Sequence, residues 1–418
     1  MELFADLHLH SRFSRATSQD LTLENLERWA RIKGLGLLGT GDFTHPQWFS
    51  ELRQLEEENG ILLSRTGFPF LLTVEVSNVF QAGGKQRRIH SIILAPGLEV
   101  AERIREWLGK RGRLDYDGRP TFGFSCKELL EGLLEIDPWI ELIPAHAWTP
   151  WYGIFGSKSG FDSLEECFGE LSGHIHALET GLSSDPEMNW RLSALDRLSL
   201  VSFSDSHSYW PWRLGRECTV FSCKPDYRAV VRAIRQKEIL YTIEVDPAYG
   251  KYHWDGHREC GVWVKPETAE KLRGVCPVCK RPLTIGVLHR VSELADRPDG
   301  FRPDGAKPFY SLLPLSEILS RVLKSNVNSQ TVWDMYNKLI QGFGNEFQVL
   351  LKAEEEEIEK IAGKEVAGLI LANRERRIRI QPGFDGVYGK IIEGEPKENL
   401  PESGVQKGLS DFLKSPQP

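Results

Sequence analysis

Histidine, aspartate and glutamate residues recur through the first half of the sequence within or just after short apolar runs. They are Asp6, His8, His10, Asp42, Glu75, His90, His146, Glu179, Asp205 and His207. One such residue alone is more often structural than a ligand, but burying many of them without partners would be costly. Imidazole and carboxylate groups in one site suit Zn, Mn or Fe, with Mg possible, and a bridging carboxylate allows several ions to be held together. The set therefore predicts a centre of more than one divalent ion, which could activate water for hydrolysis.

These side chains can meet only if the fold brings the ends of distant strands together. Through residues 1–245 short apolar runs alternate with amphipathic segments, which predicts an α/β fold with parallel strands. The seven runs are Leu3–His8, Leu35–Thr40, Phe70–Glu75, Arg88–Leu94, Ile140–His146, Ile175–Glu179 and Leu200–Asp205. Helices are expected over 21–34, 46–60 and 125–135, with Gly34 and Gly60 ending the first two. In a closed or nearly closed barrel, the carboxyl ends of all the strands would share one rim.

A second group of metal-ligand residues lies in region 246–308, which is rich in Gly, Pro, Cys and His. Cys276 and Cys279 form a Cys-x-x-Cys pair, and His257 with Cys260 forms a second pair at the same spacing. Four such ligands close a tetrahedron, so they predict one structural zinc ion. His253 is the alternative to His257. A redox role for the Cys-x-x-Cys pair is the weaker reading, because no βαβ unit surrounds it.

Aromatic and basic residues follow His146 closely, in a segment suited to a nucleic acid. Aromatic faces stack on bases and a nearby lysine holds phosphate, so the segment predicts base and DNA binding. The residues are Trp148, Trp151, Tyr152, Phe155, Ser157 and Lys158. An ordinary aromatic core is the alternative. Arg12, Arg15 and Lys158 are candidates for neutralising charge in the transition state, although surface ion pairs would also explain the two arginines.

Six ordered motifs resemble those of the PHP (polymerase and histidinol phosphatase) superfamily. They are DLHLHS at 6–11, GTGD at 39–42, TVEVS at 73–77, RIHSI at 88–92, PAHAW at 144–148 and SFSDSH at 202–207. The resemblance implies a distorted (β/α)7 barrel that holds up to three metal ions. It implies that one ion is held by His8, His10, Glu75 and Asp205, and that Glu75 bridges to a second ion held by His90 and His146.

For a third ion the resemblance points to Asp42 and His207. The second motif has Asp42 where the superfamily usually has histidine, and no histidine follows His10 in the first motif, so His45 is an alternative ligand. Asp42 or His207 could also carry a proton to the leaving group. His174 and His176 are expected to be structural or to support the ligands.

Nearly the whole chain, including 179–193, 283–297 and 380–391, resembles the endonuclease Q family within this superfamily. The resemblance implies incision of DNA 5′ to deaminated bases (uracil, hypoxanthine, xanthine) or abasic sites, leaving a 3′-hydroxyl and a 5′-phosphate. Recognition would involve flipping the base into a pocket. The alternatives are a phosphatase acting on a small phosphate monoester and a non-catalytic DNA-binding adaptor.

The remaining sequence predicts a mainly helical DNA-binding region over 309–395 and a flexible tail over 396–418. The tail residues Gln406, Leu409, Phe412 and Leu413 have the spacing of a sliding-clamp binding peptide. The formal net charge of -7 neither favours nor excludes a nucleic acid. No signal peptide or membrane span is expected, and the interpretation is a cytoplasmic, nucleoid-associated enzyme.

Overall fold

The computed structural model describes residues 2–401, in which strands and helices alternate through the first 245 positions and helices dominate after 314. The strands are β1 (Leu3–Asp6), β2 (Leu37–Gly39), β3 (Glu56–Glu58), β4 (Ile61–Leu63), β5 (Pro69–Leu71), β6 (Thr73–Ala82), β7 (Lys85–Leu94), β8 (Thr121–Phe122), β9 (Glu141–Pro144), β10 (Ala177–Glu179), β11 (Ser199–Val201), β12 (Cys218–Phe221), β13 (Tyr241–Glu244), β14 (Asp255–His257), β15 (Val262–Val264), β16 (Phe309–Ser311), β17 (Arg379–Gln381) and β18 (Lys390–Ile392). The α-helices are α1 (Leu23–Lys33), α2 (Pro46–Leu52), α3 (Leu98–Gly109), α4 (Cys126–Ile136), α5 (Leu164–Phe168), α6 (Pro186–Asn189), α7 (Tyr227–Arg235), α8 (Pro266–Lys271), α9 (Val287–Leu294), α10 (Leu315–Leu323), α11 (Gln330–Phe343), α12 (Glu355–Ala362) and α13 (Lys364–Arg374).

Each of the seven predicted apolar runs overlaps a strand, but the prediction that the strands are all parallel is wrong. β1, β2 and β5 pair in parallel, as do β10 and β11. β12 runs antiparallel to β1, and β6 and β7 form a long antiparallel ladder to which β9 adds antiparallel. The fold is therefore α/β with mixed sheets.

One buried apolar cluster receives a side chain from every one of these predicted runs. Its members include Leu3, Leu37, Leu71, Ile92, Ile143, Ala177 and Val201. Polar side chains follow where several of the strands end, so packing on this cluster places the candidate ligands near one another.

The helix predicted over 46–60 is shorter than expected. α2 ends at Leu52, and residues 56–63 turn back as the β3–β4 hairpin, with Gly60 in the turn at φ 73° rather than at a helix end. The three glutamates of β3 are exposed, so this edge strand carries charge in place of an apolar face. α1 begins and ends as predicted, with Thr22 accepting from the Asn25 amide and Gly34 closing it at φ 101°.

The C-terminal helices pack directly on the first part of the chain. Phe347 stacks on Phe4 with ring centroids 4.8 Å apart, and the buried Lys33 ammonium donates to Glu346 at 2.7 Å. Region 246–308 packs on the first part of the chain through Val287 and Val291, and it has in addition a small core of its own, formed by Val262, Val264, Ala269, Cys276 and Leu283. Between residues 2 and 401, no helix is both long and apolar enough to cross a bilayer.

Candidate metal centre and substrate cleft

Two groups of potential metal ligands share one carboxylate. His8, His10, Glu75 and Asp205 form the first group, in which the candidate ligand atoms all lie within 4.8 Å of one another. Glu75, His90 and His146 form the second, by the same measure. Glu75 lies at the start of β6 and is 1% exposed, so it reaches both groups from the floor of the site.

The distances show how tightly the donors converge. The Oε1 atom of Glu75 is 2.6 Å from His90 Nδ1 and 3.0 Å from His146 Nε2. His10 Nε2 lies 3.2 Å from Asp205 Oδ1 and 3.3 Å from Glu75 Oε2. So many lone pairs facing one small volume favour a cation between them.

Three of the four histidines are held through Nδ1 by other protein groups, which leaves Nε2 facing the centre. His8 Nδ1 is 2.9 Å from Glu179, and His10 Nδ1 is 3.1 Å from Asp42. His146 Nδ1 is 2.9 Å from the Thr149 hydroxyl. Such contacts fix the ring and its tautomer in metal sites.

The Nε2 atom of His8 is the strongest sign that the site fits a metal. It is buried and has no hydrogen-bond partner. A buried polar atom without a partner is costly, and a cation at the convergence of the first group would satisfy it. The donor set, with imidazole and carboxylate mixed, suits a transition metal.

The backbone of the site is held in an unusual conformation. Asp42, His146 and Asp205 have positive φ values of 49°, 30° and 47°, in the left-handed region that L-residues rarely adopt. Asp6 supports this arrangement, because its buried carboxylate accepts from the Ser204 amide at 3.0 Å and the Gly215 amide at 2.9 Å. Strain of this kind clusters at functional sites.

Buried charges shift the titration of the site. Burial alone would lower the pKa of His8, but Glu179 and Glu75 outweigh it and raise that pKa well above its ordinary value. Burial opposes ionisation of Glu75, yet His90, Arg119 and His8 hold its pKa well below its usual range. At His90 burial dominates and lowers the pKa to about 4. Glu75 is therefore ionised and His90 neutral at pH 7, whereas His8 would have to release a proton to bind a metal.

A cleft of about 690 Å³ opens over the second group and is shared by distant parts of the chain. His90, His146, Asp205 and His207 lie at its floor. Its aromatic walls are Trp151, Tyr152, Tyr252 and Tyr388, and its cationic residues are Arg15, Arg119, Arg216 and Lys251. A site that combines metal ligands, aromatic faces and cations suits a substrate that carries both phosphate and base.

The predicted aromatic base-binding set divides into two. Trp148 and Phe155 are each 1% exposed and pack against one another, with the Trp148 ring N–H donating to Asn189. The prediction that these two residues bind a base is wrong, because both are buried in an aromatic core, as the alternative expected. Trp151 is 39% exposed and lines the cleft with Tyr152, whose ring lies 4.3 Å from His90.

Ser157 and Lys158 follow this segment. The Ser157 hydroxyl is buried without a hydrogen-bond partner, and Lys158 is exposed. Neither residue lines the cleft as the structure describes it.

Asp42 and His207 lie outside both ligand groups. Asp42 accepts from Ser11 and Ser14 as well as facing His10, so its oxygens are occupied by protein donors. His207 lies at the mouth of the first group, with its ring 4.4 Å from that of His10. His45 instead stacks on Phe13.

The two arginines of the first motif point in different directions. Arg12 pairs with Glu51 on α2 at 2.7 Å, as the ion-pair alternative expects. Arg15 is 76% exposed beside Asp117 and lines the cleft.

Two cleft arginines were not predicted from the sequence. Arg119 donates to Glu75 Oε2 at 2.9 Å, and Arg216 donates through two nitrogens to the Ser204 carbonyl. Both lie in loops without a periodic pattern, so no signal in the sequence separated them from surface arginines.

The cysteine and histidine pairs of region 246–308 come together. His257, Cys260, Cys276 and Cys279 place one ligand atom each within 4.8 Å of the others, and Cys279 Sγ is 3.8 Å from His257 Nδ1. His253 is outside this group, and burial lowers its pKa to about 4. Three thiols and one imidazole are a donor set that fits zinc.

His176 donates through Nδ1 to the Glu141 carboxylate at 3.0 Å, and His174 is exposed, so neither joins a ligand group. The proposed clamp peptide, Gln406, Leu409, Phe412 and Leu413, lies outside the described residues.

Comparison with known proteins places this geometry in context. The chain is 31% identical to the lesion-specific endonuclease PfuEndoQ of Pyrococcus furiosus, whose crystal structure it matches with a TM-score of 0.84 over 98% of this chain and 99% of that one. It is 32% identical to endonuclease Q in complex with a 27-mer duplex substrate carrying an abasic lesion at the active site, with a TM-score of 0.84 over 97% and 99% of the two chains.

Two further similarities concern an archaeal protein of greater length. Residues 314–377 match the family of the MJ0043 C-terminal domain. Protein MJ0043 of Methanocaldococcus jannaschii is 34% identical over 255 residues, which cover 59% of this chain and 31% of that protein. The similarity to endonuclease Q, in contrast, covers nearly all of both chains, and on that basis the chain belongs to the endonuclease Q family of metal-dependent DNA endonucleases.

Proposed function

We propose that the chain incises DNA 5′ to a deaminated base or an abasic site and leaves a 3′-hydroxyl and a 5′-phosphate. The observation that carries this proposal is the pair of ligand groups sharing Glu75 at the floor of a cleft lined by aromatic and cationic residues. The related endonuclease Q complex, with an abasic duplex at its active site, supports a damaged duplex as substrate. Uracil, hypoxanthine and xanthine are the proposed deaminated bases.

Two metal ions would be held by the two ligand groups. His8, His10, Glu75 and Asp205 would hold one, and Glu75, His90 and His146 the other. When bound, such ions lower the pKa of water and neutralise charge on a phosphodiester. A third ion held by Asp42 or His207 is also proposed. Asp42 would then give up its hydrogen bonds from Ser11 and Ser14.

The protein's own residues supply the remaining electrostatic and proton-transfer roles. Arg119 and Arg216 line the cleft beside the ligand groups, so both are placed to neutralise phosphate oxygens. His207 is part-exposed beside Asp205. We assign it the role of donating a proton to the departing 3′ oxygen. Arg15, at the cleft edge, would contact a flanking phosphate.

Recognition of the damaged base is proposed to occur after extrusion from the duplex. Tyr152 offers an aromatic face directly beside His90, and Trp151 lines the same cleft. The predicted substrate contacts of Ser157 and Lys158 stay part of the proposal, although neither residue lines the cleft. Stacking of this kind is available to any extruded base, so it supplies affinity rather than discrimination.

Three further assignments complete the proposal. Region 246–308 is a module stabilised by one structural zinc on His257, Cys260, Cys276 and Cys279. Region 309–395 contributes DNA contacts through its helices. The tail peptide around Phe412 binds a sliding clamp.

The test compares duplexes that differ at one position: uracil, an abasic site or the undamaged base. The protein is first treated with a chelator to remove bound metal, and manganese is then added. Incision 5′ to the lesion only after manganese addition is expected. His8→Ala should abolish it, while His174→Ala, which alters an exposed histidine outside both ligand groups, should not.

A panel of small phosphate monoesters serves as the comparison. Hydrolysis of those esters with no incision of any duplex would replace this proposal by the phosphatase alternative. Equal incision of damaged and undamaged duplexes would refute lesion specificity.

A further inference from the structure

Two segments that are far apart in sequence lie side by side at the cleft. They are 248–254, in the cysteine-rich region, and 383–389, between β17 and β18. Their backbones are joined by amide hydrogen bonds from Gly383 to Ala248 at 2.9 Å, from Gly386 to Lys251 at 3.0 Å and from Gly389 to Tyr249 at 3.1 Å. The Trp254 amide also donates to the Gly383 carbonyl at 3.0 Å. The two segments therefore form one continuous wall.

Glycine permits this close approach. A Cβ at Gly383 would lie 2.0 Å from the Gly250 carbonyl oxygen, and one at Gly389 would lie 2.2 Å from the Ala248 carbonyl oxygen. Only glycine can bring the two backbones this near.

Asp385 fixes the tip of the second segment. Its carboxylate accepts from the Arg258 amide at 2.8 Å and from the Thr284 hydroxyl at 2.7 Å. Arg258 directly follows His257, so the wall is attached to the module that carries the cysteines. The tip is thus positioned by several independent contacts.

This wall presents one cation and two aromatic rings to the cleft. Lys251, Tyr252 and Tyr388 line the cleft, and Tyr388 is 49% exposed. The Lys251 ammonium lies 4.6 Å from the centroid of the Tyr388 ring, and Tyr252 packs edge-on against Trp151 at 5.7 Å. Lys251 makes no ion pair with any residue between 2 and 401, although acidic residues are abundant in the chain.

We infer that this wall discriminates between bases: Tyr388 stacks on the extruded base and Lys251 donates to its exocyclic carbonyl oxygen. This inference rests on the proposed function. Deamination replaces an amino donor by a carbonyl acceptor, at the cytosine N4 position and at the adenine N6 position. A lysine ammonium has three donors and no acceptor, so it favours uracil over cytosine and hypoxanthine over adenine. An abasic site has no base and gains nothing from the wall.

The abasic duplex makes this inference testable apart from the chemistry. Lys251→Met should lower kcat/KM on a uracil duplex about tenfold more than it lowers kcat/KM on the abasic duplex, because a charge-assisted hydrogen bond to the base is lost only on the uracil duplex. Tyr388→Ala should have a similar effect through lost stacking, whereas Tyr388→Phe should retain wild-type discrimination. The readout is the ratio of kcat/KM values on the two duplexes.

Two substitutions elsewhere are the matched controls. Tyr310→Ala removes another exposed tyrosine and Lys110→Met another exposed lysine, and neither residue lines the cleft. Both should keep the wild-type ratio. Equal losses on both duplexes, or an unchanged ratio in Lys251→Met and Tyr388→Ala, would overturn the inference while leaving incision itself intact. A wild-type protein that cuts neither duplex would refute the proposed function and the inference together.

Discussion

At the scale of single residues, the candidate metal ligands are oriented by side chains that do not themselves face the proposed metal centre. Glu179 illustrates this, because one oxygen lies 2.9 Å from His8 Nδ1 and the other accepts from the His146 amide at 2.5 Å. One buried carboxylate thus orients a ligand from each proposed metal site. Outer carboxylates of this kind raise the basicity of the imidazole they hold.

Glu179→Gln is therefore expected to weaken metal binding without removing a ligand. The manganese concentration that gives half-maximal incision should rise about 10- to 100-fold, because the amide cannot replace the charge that supports His8. Much of the rate should return at saturating manganese. A metal titration of the incision rate measures this, with Glu170→Gln, on an exposed carboxylate, as the control. An unchanged titration curve would show that Glu179 does not tune the centre.

Substitutions of Trp148 and Trp151 should affect different properties, the first the stability of the fold and the second the recognition of the substrate. Trp148→Ala should lower the free energy of unfolding by about 3–5 kcal/mol, because it empties a fully buried site. Trp151→Ala should change it by less than about 1 kcal/mol, because the side chain is exposed at the cleft. Denaturant unfolding measures both, and a large loss in Trp151→Ala alone would reverse these roles.

The positions of most candidate ligands could be predicted because they lie at the end of an apolar run, and strand ends converge. Glu75 and His90 differ, because the first lies near the start of β6 and the second lies inside β7. Whether a side chain in a nearby loop points into the core or into the cleft could not be predicted in the same way. Trp148 and Trp151 are three positions apart in a loop, where no period decides which one turns inward. Arg119 contacts Glu75 only because the fold brings the two residues together, so no pattern in the sequence indicates its role. The roles of the candidate ligands in binding metal stay predictions.

At the scale of elements, strand existence was predictable and strand direction was not. An apolar run indicates that a strand is buried, but it does not indicate whether the strand runs parallel or antiparallel to its neighbours. The β6–β7 ladder is the exception, because its two-residue turn is Gly83-Gly84, with φ values of 58° and 71°. A Gly-Gly pair between two β-like runs favours a hairpin, and this signal contradicts an all-parallel order.

The cysteine-rich module is the element that depends most on its proposed zinc. Its own core has the five buried residues given above, too few to stabilise a segment of this size alone. Cys276→Ser should lower the zinc content by about one ion per chain and expose residues 246–308 to limited proteolysis. Elemental analysis and the cleavage pattern measure these two effects.

Cys223→Ser provides the comparison, because Cys223 belongs to no ligand group. It should keep the wild-type zinc content and cleavage pattern. Full zinc content in Cys276→Ser would remove the case for this metal site.

At the scale of the whole molecule, buried carboxyl groups link the first part of the chain to the rest. Glu244 ends β13; its backbone carbonyl accepts from the Leu312 amide at 2.8 Å and its side chain from Thr180 at 2.8 Å. Burial raises the pKa of Glu244 to about 8 and that of Asp185 to about 7. Burial and Glu244 also raise the pKa of Glu217 well above its usual range. At neutral pH the folded chain therefore still holds protons, such as that of Glu244, which the unfolded chain has already released.

Glu244→Gln should flatten the pH dependence of stability. The unfolded glutamate loses its proton near its ordinary pKa of 4.5, whereas the folded one keeps it up to about pH 8. The stabilisation is complete below pH 4.5 and is lost as pH rises through 8, by up to about 1.4 kcal/mol per pH unit. Glutamine cannot ionise, so denaturant unfolding between pH 5 and 8 in chelator should show a shallower decline. Glu238→Gln, on an exposed carboxylate, should retain the wild-type slope. The same slope in Glu244→Gln as in the wild type would mean that Glu244 is already ionised in the fold.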